Sequence, residues 1–150
     1  MLENEMIIND LMVETFNKIM NIEAEELKYV CNKYNVSIKE IHTLEKIFQN
    51  NNSSMSAVAD SLKITRGSFT IAIKTLEKKG YAKRTKSKID SRSYNVHITK
   101  KGLEIHDYHM QFHKKMITKV ISNTDIVDQE ILIESLKRLI TFFKELEVKI

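Results

Sequence analysis

Residues 65–99 read "TRGSFTIAIKTLEKKGYAKRTKSKIDSRSYNVHIT". Two hydrophobic periods meet in this stretch. In its first half Phe69, Ala72, Ile73 and Leu76 recur at helical spacing, Thr65 stands where an N-cap belongs, and Gly80 stands where a helix ends in the left-handed region. In its second half Tyr94, Val96 and Ile98 alternate with Asn95, His97 and Thr99, the mark of a strand with one buried face. "YAKRT" reads as a weaker strand, and "KSKIDS" joins the two as a hairpin. A capped helix followed by a basic hairpin is the later half of a winged helix-turn-helix.

The earlier half lies upstream. Ser54 can cap a short helix, "MSAVADSL", and Lys63–Ile64 form a tight link to the next one. Ser37 can cap "IKEIHTLEKIF", with Ile38, Ile41, Leu44, Ile47 and Phe48 on one face, and "QNNNSS" reads as a turn. From about Met6 to Tyr34 a long amphipathic helix is expected, bent near Ile22–Glu26. Beyond the hairpin, Thr99 caps a long helix over Lys100–Ile121, and a last helix begins near Thr124–Asp128. The fold class is therefore mainly α with a small β-wing. One domain is expected over 1–150, with a winged helix-turn-helix over 37–102 and dimerisation helices over 1–36 and 103–150. The long helices carry apolar stripes that their own domain cannot cover, so a homodimer is expected.

Composition narrows the function. With 42% apolar and 29% charged residues the chain is neither disordered nor membrane-spanning, and 150 residues suit one core. Proline is absent and Cys31 is the one cysteine, so no internal disulfide can form and a reducing compartment is expected. "MLENEMIINDL" has acids where a secretion leader needs bases, and no apolar run could cross a bilayer, so a cytoplasmic protein without a membrane partner is expected. The net charge of +4 is unevenly spread: residues 63–101 hold twelve Lys/Arg against two acids, while 1–62 carry −5 and 102–150 carry −1. That is the footprint of a module for a polyanion on near-neutral arms.

On the helix after Thr65, Gly67, Thr70, Ile71, Lys74 and Lys78 lie opposite the core face, with Arg66 and Ser68 in the first turn. Arg66 suits a base edge or phosphate, and Ile71 suits a thymine methyl. Ser54, Thr65, Ser68 and Thr70 suit hydrogen bonds to phosphate or base, and Lys74 a backbone contact. In the hairpin Arg84, Lys86, Lys88 and Arg92 supply charge. Asp90, two residues before Arg92, reads as a carboxylate that pairs with the guanidinium and aims it into a narrow minor groove.

Residues 54–102, and "LEKKGY", Asp90–Arg92 and "ITKKG" within them, resemble the DNA-binding core of the MarR family of transcription regulators. The resemblance implies a homodimeric repressor on a pseudo-palindromic double-stranded operator. "SIKEIHTLEKI" and "HDYHMQFHKKM" are similar to the FabT-type repressors of fatty-acid synthesis genes, which implies a response to long acyl chains on acyl carrier protein. Ser93 departs from the family, where an arginine or apolar residue is common, and implies slightly weaker wing binding.

His106, His109 and His113 share one side of their helix, together with Leu103, Met110 and Ile117. A rival set of zinc ligands is Cys31, His42, His106, His109 and His113, which would make the chain a zinc-responsive regulator. The half-apolar face and the lack of a Cys pair or HExxH favour no metal and no cofactor. A MarR-type response to another small molecule and a purely architectural DNA-binding role stand as further alternatives. No nucleophile–base pair or Gly-rich phosphate loop points to an enzyme.

Overall fold

The computed structural model describes residues 2–149, the side chains of Val148 and Lys149 excepted. These form two compact units, one running to Phe112 and the other starting at His113. In the first, helices α1 (Glu3–Glu26), α2 (Lys28–Tyr34) and α3 (Ile38–Gln49) are followed by strand β1 (Ser53–Ser54) and helices α4 (Met55–Ser61) and α5 (Arg66–Lys79). Strands β2 (Ala82–Lys86) and β3 (Tyr94–Ile98) then lead into α6 (Lys100–Ile121).

The caps explain the boundaries. Ser37 Oγ accepts from the Glu40 N–H at 3.1 Å while the Glu40 carboxylate accepts from the Ser37 N–H at 2.8 Å, a reciprocal capping box. Ser54 Oγ caps α4 through Ala57 N–H, and Thr65 Oγ1 caps α5 through Ser68 N–H, each at 3.1 Å. Gly80 closes α5 at φ 81°, a left-handed position that suits glycine. Lys63, at φ 54°, makes the tight turn between α4 and α5.

Two elements differ from the expectation. The long first helix is broken at Leu27, one residue past the expected bend. Leu27 and Val30 are fully buried, which turns α2 onto the core, whereas α1 buries only Glu23. The segment read as a turn, "QNNNSS", contains a third strand. β1 pairs antiparallel with β3, Ser53 opposite Val96 and Ser54 opposite Asn95, giving the sheet order β1-β3-β2. Two serines carry no alternating pattern of their own; the partner strand supplies their pairing.

The core gathers Leu27, Val30, Ile41, Leu44, Ile47, Val58, Phe69, Ile73, Leu76, Val96 and Ile105, all fully buried. Burying one such side chain contributes about 1.5–3 kcal/mol. Ala72, expected with them, is half-buried. The effect is to fix α5 by one face and turn the other outward. The second unit comprises the end of α6 and helix α7 (Ile126–Lys149), whose start is held by the Asp125 carboxylate accepting from Asp128 N–H at 2.8 Å. No described side chain of α7 is buried. Among the described residues no helix is long and apolar enough to cross a membrane.

Candidate nucleic-acid interface

The outward face of α5 presents Arg66, Ser68, Ile71, Lys74 and Lys78 to solvent. Ile71 is 71% exposed, an apolar side chain in the middle of a polar helix face. Thr70 donates its hydroxyl proton to the Arg66 carbonyl at 2.8 Å, which leaves its oxygen lone pairs as acceptors. Thr65 and Ser68 hydrogen-bond one another at 3.0 Å, so both are tied into the helix start. Beside this face a cleft of about 200 Å³ is lined by Ser54 from β1 and Met55 from α4, Arg66 and Thr70 from α5, and Arg84, Arg92, Ser93 and Tyr94 from the hairpin. Three arginines separated by up to 26 positions of sequence thus border one opening.

The hairpin is braced before it meets any ligand. Arg84 forms a bidentate pair with Glu77 of α5, Nε to Oε1 at 3.0 Å and Nη2 to Oε2 at 2.9 Å, and its backbone N–H donates to the same carboxylate. The Glu77 hydrogen bonds, opposed by burial, hold the guanidinium above its usual range. Arg84 also lies over the Tyr94 ring, 5.6 Å from its centroid. It therefore fixes the wing against α5, a role that the reading of Arg84 as plain positive charge did not contain. Glu77 and Tyr94 were missed as site residues. The one sequence signal for Glu77 was its isolation as an acid in a basic segment.

Lys86, Lys88, Asp90 and Arg92 are exposed on the wing. Asp90 does not hold the Arg92 guanidinium. Its Oδ1 accepts from the Arg92 backbone N–H at 2.9 Å, and its carbonyl accepts from Ser93 N–H and Ser93 Oγ, each at 3.0 Å. A carboxylate two residues ahead of an N–H closes an Asx-turn more readily than it reaches a long, hydrated guanidinium. The expected side-chain pair is thus corrected to a main-chain one: Asp90 shapes the turn from which Arg92 projects.

The histidine set divides. His42 and His109 both direct Nε2 at the same oxygen, Glu23 Oε1, each at 2.8 Å. Glu23 is 4% exposed and His109 1%. Burial pushes the Glu23 carboxyl up, but the hydrogen bonds and positive charge of His42 and His109 outweigh it and leave it below its ordinary value. Glu45 Oε2 lies 3.6 Å from His109 Nδ1. His106 is elsewhere: it stacks on Phe48 with centroids 4.0 Å apart and reaches Asp107 at 3.2 Å. Cys31 packs on the edge of the core, where burial pushes its thiol up. His113 follows His109 by one turn of α6. Glu23 was not foreseen, because nothing local marks a carboxylate that meets its partners 19 and 86 residues away.

A helix-turn-helix whose exposed helix shares a cleft with a basic three-stranded wing defines a winged-helix protein. The profile described as "Transcriptional regulator SarA/Rot" matches residues 26–109, more than half of the chain. The Streptococcus pneumoniae FabT–DNA complex superposes with TM-score 0.87 at 34% identity, covering 95% of this chain and 99% of FabT. A MarR regulator from Methanosarcina mazei Go1 gives TM-score 0.70 at 20% identity, covering 95% and 98%. The S. aureus MepR–DNA complex gives 0.67 at 16%, covering 86% and 96%. No curated protein sequence matches the chain significantly. The chain belongs to the MarR family of winged-helix transcription regulators, and its assignment is to regulators and not to enzymes.

Proposed function

We propose that the protein is a sequence-specific repressor that binds a pseudo-palindromic operator as a homodimer. α5 enters the major groove, with Arg66, Ser68, Thr70 and Ile71 toward base edges. Lys74, Ser54 and the α5 start meet phosphates, and Lys86, Lys88 and Arg92 follow the wing into the minor groove. The observation that carries this reading is the cleft in which Ser54, Arg66, Thr70 and Arg92 converge from three elements. The exposed apolar faces of α1 and α7 support the dimer. The resemblance of "SIKEIHTLEKI" and "HDYHMQFHKKM" to FabT-type repressors extends the proposal to fatty-acid synthesis genes, with long acyl chains on acyl carrier protein as the signal, while the FabT–DNA complex at 34% identity supports the DNA-binding part. Capture of genomic fragments by the purified protein tests both levels. Enrichment of discrete sites beside fatty-acid synthesis genes supports the whole reading. Discrete sites beside other genes remove the fatty-acid part, and uniform capture of all fragments removes sequence-specific repression.

A second reading is favoured by the Glu23–His42–His109 group: zinc as the signal. The donor set, one carboxylate and two imidazoles, is the oxygen and nitrogen chemistry zinc takes. Each Nε2 lies 2.8 Å from Glu23 Oε1, so the two imidazoles converge on one carboxylate oxygen. Stoichiometric zinc in the purified protein, lost in His109→Ala and needed for operator binding, would establish it. Operator binding indifferent to zinc and to chelation would exclude it.

A further inference from the structure

Ile89 sits at the tip of the wing and is 100% exposed. Every other residue from Ser87 to Ser93 is polar or charged. Turn tips favour Gly, Asn, Asp and Ser, and a β-branched apolar residue is a poor choice there on conformational grounds. The apolar residues exposed on α1 and α7 form helical stripes, whereas Ile89 is an exposed aliphatic side chain at a hairpin tip.

The tip is also hydrogen-bonded within itself. Ser87 N–H donates to the Ser93 carbonyl at 3.0 Å. Ser87 Oγ accepts from the N–H groups of Ile89 and Asp90 at 3.2 and 3.3 Å. The Asp90 carboxylate then closes the far side on Arg92 N–H. These bonds favour the turn conformation in the free protein, which lowers the conformational freedom lost on insertion. Ile89 also borders a groove on the outer face of the sheet, together with Lys83, Lys86 and Lys88. An apolar tip flanked by cations is the composition of side chains that enter the minor groove between phosphate walls and press against base steps.

We propose that Ile89 is an apolar wedge: it seats in the minor groove next to Arg92, pries at one base step, and makes the complex sensitive to how easily that step deforms. The proposal rests on the reading that the wing enters the minor groove. Pyrimidine–purine steps unstack with least resistance, so the wedge adds sequence preference at a position where no hydrogen bond is made.

The test uses the full-length protein and an operator duplex recovered by genomic capture, labelled at both ends so that energy transfer reports bending. Ile89→Ser, Ile89→Leu and Arg92→Ala are compared with the original protein. The Ile89 side chain is fully exposed in the free protein, so its variants are expected to fold, and circular dichroism checks this. Expected results are binding weakened about tenfold by Ile89→Ser, the scale of losing one buried aliphatic contact, with a smaller bend, and both properties kept by Ile89→Leu. Replacing the step under the wing by a stiff A-tract should penalise the original protein more than Ile89→Ser. If Arg92→Ala weakens binding while Ile89→Ser binds and bends like the original, the wedge is overturned and the wing reading stands. If neither variant changes anything, both fall.

Discussion

At the scale of single residues, Asp90 and Gly102 are the sharpest points. Asp90 acts on Arg92 through the main chain, by a bond that an amide oxygen can also accept. Asp90→Asn should therefore keep the turn, remove one negative charge from a surface that meets phosphates, and bind operator at least as tightly. Asp90→Ala loses the turn and should bind more weakly, by about 1 kcal/mol, the worth of one hydrogen bond. Anisotropy titrations at fixed salt separate the two; weaker binding by Asp90→Asn would return the carboxylate to the guanidinium. Gly102 lies where α6 leaves the wing, and Thr99 Oγ1 there accepts from Gly102 N–H and donates to the Gly80 carbonyl. A Cβ at 102 would fall 2.1 Å from the Tyr81 carbonyl oxygen, a backbone atom that cannot swing aside. Gly102→Ala should lose about 1–3 kcal/mol of stability, visible in urea unfolding, and a curve matching the original would contradict this packing.

At the scale of elements, the pair Lys79–Glu40 ties the end of α5 to the start of α3. Lys79 Nζ lies 2.8 and 2.9 Å from the Glu40 carboxylate oxygens and 2.7 Å from the Asn35 carbonyl. Burial pushes the Glu40 carboxyl up, but Lys79 and the Ser37 cap outweigh it and hold the carboxyl below its ordinary value. The unfolded chain therefore takes up this proton first. The pair's stabilisation is in full force above the usual carboxylate range, near 4.5, and is lost as pH falls through the lower native value. Glu40→Gln should cost roughly 0.5–1 kcal/mol at pH 7, with a difference from the original that shrinks in acid. An equal difference at pH 7 and pH 3, by urea unfolding, would remove the ionic account. Elements whose ends depend on one residue type at one position were legible in the sequence: Ser37, Ser54, Thr65 and Gly80 all stand where the caps are. β1 was not, because its two serines owe their strand to pairing with Val96 and Asn95. The break at Leu27 was not, because an apolar residue at that spacing suits one continuous helix equally well. Among candidate site residues, the exposed face of α5 followed from its period. The tethering of Arg84 by Glu77 did not, since the sequence shows charge but not which charges meet.

At the scale of the whole chain, positive charge is concentrated on α5 and the wing, while the long helices expose apolar side chains. On α7 these are Ile126, Val127, Ile131, Leu132, Ile133, Leu136, Ile140, Phe142, Phe143 and Leu146. Faces of this kind are covered by a partner, and a second copy is the partner proposed here. Truncation after Ile133 should abolish the dimer in analytical ultracentrifugation, and a well-behaved truncated dimer would show that α7 is not the holding element. The central claim, that the α5–wing surface is a broad polyanion-binding face, is tested most directly by the salt dependence of operator affinity. With about six to ten phosphate contacts, the log–log slope should lie near −5 to −9, so affinity falls about 10³–10⁵-fold between 50 and 200 mM salt. A slope shallower than about −2 would contradict the claim.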